Sequence, residues 1–194
     1  NRFYNIEDVL TMPTARLIGN GVLSFLSKFS TGYWDIFDPT NGYVAINIKA
    51  ARMLPFEKID KRFFFESDLL FRLSTIKAVV LDIPMTAIYQ NEKSNLRILH
   101  NIPPFLAGHI KNMAKRIFYN YFLRDFSIAS IQLILGTMLF IFGLAFGLTQ
   151  WIDSIESGAP ASAGTVMLAG LPIITAIQML TAFLSYDMRN TPKT

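Results

Sequence analysis

Ser127–Trp151 reads SIASIQLILGTMLFIFGLAFGLTQW and holds no charged side chain. A second run, Gly164–Tyr186 (GTVMLAGLPIITAIQMLTAFLSY), holds none either. Each is longer than the roughly 20 apolar residues a helix needs to cross a hydrocarbon core. A buried helix of a soluble protein is rarely apolar all round over such a length. Two transmembrane helices are therefore expected, over about 127–151 and 164–186.

The charges around these runs set an expected topology. The connecting loop, Ile152–Ala163, has Asp153 and Glu156 but no Lys or Arg, whereas Lys111, Lys115, Arg116 and Arg124 precede the pair and Arg189 and Lys193 follow it. The positive-inside rule places both flanks, with the 187–194 tail, in the cytoplasm and the loop outside. Gly143-x-x-x-Gly147 permits close helix approach, first within the hairpin and alternatively in a homo-oligomer. Pro172 is expected to loosen the second helix. With no charged residue in either span, an ion or proton pathway has no support and an anchor is the expected role.

The composition fits an integral membrane protein. Of 194 residues, 52% are hydrophobic and 16% charged, with a mean hydropathy of +0.35. The absence of cysteine excludes disulfides, thiol catalysis and cysteine zinc sites. The net charge of +4 is modest, and its basic residues gather beside the apolar runs, which suits a membrane surface rather than nucleic acid.

Immediately before the first run lies an amphipathic stretch, 103–126. Leu106, Ile110, Met113, Ile117 and Tyr121 recur at helical spacing, with Lys111, Asn112, Lys115 and Arg116 largely off that stripe. Such a helix suits the headgroup layer. A sharper expectation is that Arg116, Tyr119 and Arg124 hold a lipid phosphate, because the guanidinium fork matches phosphate oxygens.

Residues 1–102 read as mixed helix and strand. Helices are expected over Ala15–Lys28, Asn47–Met53 and Glu66–Thr75, and extended segments at Tyr43–Ile46, Ala78–Leu81 and Ile83–Tyr89. The fold class expected is α/β plus transmembrane helices, with too few strands here for a free-standing sheet. Within DPTNGY (38–43), Pro39 stiffens a turn and Asn41-Gly42 tolerates positive φ. His100 and His109 have no acids at ligand spacing, and no metal ligand is assigned.

In order, DPTNGY, FFFESDLLFRL, VVLDIPMTAIYQNEKSNL, KRIFYNYFLRDFS and the hairpin resemble the C-terminal half of membrane-anchored family 2 glycosyltransferases, the dolichyl- and polyprenyl-phosphate sugar transferase type. The resemblance spans roughly Arg16–Asp187. It implies that 1–102 is the back half of a Rossmann-like GT-A domain whose front half lies upstream of Asn1. It also implies a nucleotide-sugar donor, a polyprenyl-phosphate acceptor and a divalent metal, Mg or Mn. The family's D-x-D metal motif is absent, so the metal ligands and most of the donor site would belong to the missing half.

By the same resemblance, Glu66 and Asp68 of FESD are the catalytic carboxylates, with Glu66 the one expected to face the substrate. Asp38, Asn41 and Gly42 form the loop beside the acceptor and donor sugar. The helix-dipole preference for acids in a first turn also accounts for Glu66 and Asp68, and a plain turn also accounts for DPTNGY. A fragment of a processive polysaccharide synthase and a non-catalytic membrane adaptor are the alternatives. The Q-x-x-R-W motif of such synthases is absent.

Overall fold

The computed structural model describes residues 1, 3–4, 9–10, 12, 14–62, 64–85 and 98–193. Its helices are α1 (Thr14–Thr31), α2 (Ile48–Met53), α3 (Phe65–Thr75), α4 (Ile98–Phe118), α5 (Ile128–Ser157) and α6 (Ala163–Arg189), with a 3-10 turn at Phe56–Lys58 and a π-helical segment at Tyr119–Arg124. Two compact units result: residues 1–120 with 190–194, and residues 121–189.

The expected α/β class is incorrect. Among the described residues 71% are helical, without strand or sheet, and no Rossmann-like domain is present there. Ala78–Met85 is extended, and its exposure alternates as strand periodicity demands: Val79, Leu81 and Ile83 point outward while Ala78, Val80 and Asp82 are half-buried. A strand, however, is defined by its neighbour. Among the described residues the ladder-like bonds are the Asn1 ammonium to the Ile83 carbonyl (2.6 Å) and Met85 N–H to the Asn1 carbonyl (3.3 Å). Tyr43–Ile46 has no strand partner among the described residues, and 86–89 lie outside them.

In the first unit, α1 packs on α4 and α3, and α3 packs on α4. A small apolar core of Tyr33, Ile36, Leu54, Ile59, Leu69 and Leu73 lies beside them. The contact between α1 and α4 is polar. Ser24, Ser27, Ser30 and Thr31 are buried on α1, and His109, Asn112 and Arg116 on α4. Ile18, Val22 and Phe25 fall on the opposite side of α1 by helical geometry and are exposed. The apolar stripe of α4 is also open, with Leu106 and Ile110 exposed and Met113 and Ile117 half-buried.

In the second unit, α5 and α6 are long and apolar enough to cross a membrane. Ser162 caps α6 by accepting the Thr165 N–H at 3.1 Å. Gly158, at φ +67°, closes α5. The glycines of α5 meet α6 closely: a Cβ on Gly143 would sit 2.7 Å from Ile173 Cγ1 and 2.9 Å from the Ala169 carbonyl oxygen. One on Gly147 would be 3.3 Å from Ala169 Cβ. The Gly-x-x-x-Gly pair thus packs the hairpin on itself. At one end, Tyr121 and Asp187 are both buried and joined by a 2.6 Å hydrogen bond from the Tyr121 hydroxyl.

Gly143→Ala forces backbone apart and is expected to destabilise the hairpin by about 1–3 kcal/mol. Gly170→Ala, whose Cβ would meet nothing within 4 Å, should stay within about 0.5 kcal/mol. Thermal unfolding of both variants in detergent micelles checks the difference, and equal loss contradicts it.

Candidate functional site

The turn after α1 begins at Gly32, whose φ of +80° suits glycine. A Cβ there would lie 2.8 Å from Arg116 Nη1. Arg116, 3% exposed, donates from Nε (3.2 Å) and Nη2 (2.8 Å) to the Phe29 carbonyl. It satisfies a carbonyl in the last turn of α1, where a cation is also favoured by the helix dipole. Tyr119 is exposed in the first unit, and Arg124 is exposed in the second. Arg116, of the expected phosphate-binding set, is thus built into the protein interior.

Beyond Gly32 the chain carries Tyr33 into the core, where burial raises its phenol pKa well above the usual range. It then enters DPTNGY. Asp38 is buried. Asn41 donates from its backbone to the Asp38 carbonyl (3.4 Å) and from Nδ2 to Asp38 Oδ2 (3.5 Å), while its Oδ1 accepts the Tyr43 N–H at 3.1 Å. This Asx turn bends the chain through side-chain bonding. Positive φ among the described glycines is confined to Gly32 and Gly158, so Gly42 does not use the freedom expected of it. Its small size matters instead, since a Cβ at Gly42 would lie 3.8 Å from Glu66 Oε1.

Asp38, Asn41 and Glu66 all line one open cavity of about 710 Å³, with Asn47 and Asp82. The remaining wall is largely apolar, including Val44, Ile46, Val79, Leu81 and Ile83. Among the described residues, no Lys, Arg or His side chain lines it. Asp82 Oδ2 is engaged by the Phe37 N–H and Asn1 Nδ2, both at 2.9 Å. Such a lining suits hydroxyl donors and apolar groups.

The two FESD carboxylates have different surroundings. Glu66 is half-buried at the cavity and has no hydrogen-bond partner among the described residues. Asp68 is 6% exposed. Its Oδ1 accepts from Asn112 Nδ2 (3.0 Å), and its Oδ2 from the Asp60 N–H (3.1 Å) and Arg72 Nε (3.4 Å). Both Asp68 oxygens are thus engaged in bracing the fold, and Glu66 is the one of the two carboxylates that lines the cavity. Among the described residues no group of three or more His, Asp or Glu could hold a metal, so the divalent ion implied by the resemblance has no fitting site here.

The sequence reading gave Asn112 and His109 no part in a site and did not single out Ser30. His109 is buried, with Nδ1 2.8 Å from Ser30 Oγ, while its Nε2 has no partner among the described residues. The signal was present in the spacing: His109, Asn112 and Arg116 share one face of α4. The side chain of His100 and residues 86–97 lie outside the described residues.

Burial lowers the His109 pKa from 6.5 to about 4. Between those values the unfolded chain binds the proton and the folded one does not. Stability therefore falls as pH drops from 6.5 towards 4, by up to roughly 3 kcal/mol. Melting in detergent at stepped pH should show this loss, and His109→Gln should shrink it. An unchanged pH profile in that variant contradicts the assignment. In comparisons with known proteins, no family model, curated protein or solved structure matches this chain.

Proposed function

We propose that this chain is the acceptor side and membrane anchor of a glycosyltransferase that moves a sugar from a nucleotide-sugar to a polyprenyl phosphate at the cytoplasmic face. The observation that carries this is the meeting of Asp38, Asn41 and Glu66 at one cavity, with Gly42 against Glu66, in a chain that also has two helices fit to cross a membrane.

The chemistry suits these groups. A lipid phosphate is already ionised near neutral pH, so its oxygen attacks the anomeric carbon without a base. The bond from that carbon to the nucleoside diphosphate breaks, and the diphosphate leaves. What the protein must then supply is orientation. Glu66 and Asp38 accept hydrogen bonds from sugar hydroxyls, and Asn41 both donates and accepts. The apolar wall takes the first isoprene units. The phosphate stays at the mouth, since the described lining carries acids and no Lys, Arg or His side chain. Binding of the nucleotide and of Mg or Mn falls to polypeptide other than the described residues.

A non-catalytic adaptor is the second reading, favoured by the exposed Ile18, Val22 and Phe25 face of α1. Such a face is suited to covering by a protein partner.

The test is Glu66→Gln in membranes that make the protein from its native gene, supplied with radiolabelled nucleotide-sugars and polyprenyl phosphate. Glycolipid formation should fall about a hundredfold or more, with membrane insertion unchanged. Near-normal formation removes Glu66 from the reaction, and absence of lipid-linked sugar from the parent membranes favours the adaptor.

A further inference from the structure

Helix α3 begins without a side-chain cap: its first turn, which holds Glu66, follows Phe64, and no cap hydrogen bond is made there. An uncapped start leaves amide groups unsatisfied and frays unless something else fixes it. Part of that fixing is local, from the Phe65 N–H to the Arg62 carbonyl at 3.0 Å and the Asp60 N–H to Asp68 Oδ2 at 3.1 Å, and the rest comes from α4. The Phe64 ring lies edge-on to His109 with centroids 4.9 Å apart. It covers Gly108 so closely that a Cβ there would fall 2.8 Å from the ring. One turn further along α3, Asp68 accepts from Asn112 Nδ2 at 3.0 Å, with Asn112 only 4% exposed.

These contacts stand on either side of Glu66 in the sequence. We infer that Gly108 and Asn112 are positioning residues for Glu66: through the ring–glycine contact and the buried amide–carboxylate bond, α4 sets where the Glu66 carboxylate stands in the cavity. Because Leu106 and Ile110 on the same helix are exposed and apolar, with Lys111 and Lys115 exposed beside them, α4 has the surface of a lipid-binding helix. Lipid contact and the cavity carboxylate are thereby joined through one rigid element. This inference rests on the proposed function only in treating Glu66 as a working group.

The test uses the absence of cysteine from the chain. Cysteines introduced at Phe65 and Lys111, which are exposed residues of α3 and α4, carry nitroxide labels in the full chain reconstituted into phosphatidylglycerol-containing nanodiscs. Electron–electron distance measurement should give one narrow distribution in the parent. Asn112→Leu should broaden it, and the exchange Asp68→Asn with Asn112→Asp, which reverses donor and acceptor, should restore it. If Asn112→Leu lowers the helical circular-dichroism signal, Gly108→Ala is read in its place, since its added methyl displaces the Phe64 ring alone. In the active membranes, Asn112→Leu should lower kcat with little change in KM, since a misplacement of 1 Å costs on the order of a hundredfold in rate.

A distribution as narrow as the parent's in Asn112→Leu, or in Gly108→Ala where that variant replaces it, overturns the inference. So does an exchange variant as broad as Asn112→Leu. The distance readout involves no catalysis, so it separates failure of the positioning role from failure of the transferase reading.

Discussion

A buried polar seam holds the first unit together. Along it, Arg116 satisfies the Phe29 carbonyl, Ser30 meets His109, and Asn112 donates to Asp68. Each group would cost about 1–3 kcal/mol if buried without a partner, so the seam is stable only in the register that pairs them. The serines and threonine of α1 are small enough to allow close packing, and the hydroxyls of Ser30 and Thr31 turn back onto the Ser27 carbonyl.

From this seam the rest of the unit follows. Two helices that spend their polar faces on each other must turn apolar residues elsewhere. Ile18, Val22 and Phe25 on α1 and Ile110 on α4 accordingly stand exposed. Because Asn112 reaches across to Asp68, the seam also fixes the first turn of α3. Arg116 at Gly32 fixes the chain just ahead of Tyr33, from which DPTNGY departs. Both sides of the Asp38–Glu66 cavity therefore trace back to α4. The hairpin obeys a different rule, in which glycines permit close backbone approach and polar pairing is kept to an end, at Tyr121 and Asp187.

Local patterns in the sequence were enough for the helices. The all-apolar runs match α5 and α6, the periodicity of 15–28 and 66–75 matches α1 and α3, and Gly143 and Gly147 sit where close packing needs them. The strands were not recoverable in this way. Val79, Leu81 and Ile83 do alternate, but alternation specifies a face, and a ladder needs a second chain segment beside it. Apolar periodicity alone did not reveal the inward side of α1 and α4, since here polar residues lie inside. At the site, Asp38, Asn41 and Glu66 were legible from their motif and do share a cavity. The division of labour between Glu66 and Asp68 was not, because it depends on Asn112, which lies 44 residues further along the chain.

The most direct measurement of the central claim is photolabelling of the protein in nanodiscs with polyprenyl phosphate carrying a diazirine on its first isoprene unit. Acceptor binding at the cavity predicts crosslinks in the peptides containing Tyr43–Asn47 and Val79–Ile83, displaced by unlabelled polyprenyl phosphate. Labelling confined to peptides of Ile128–Arg189, with none at the cavity, would contradict it.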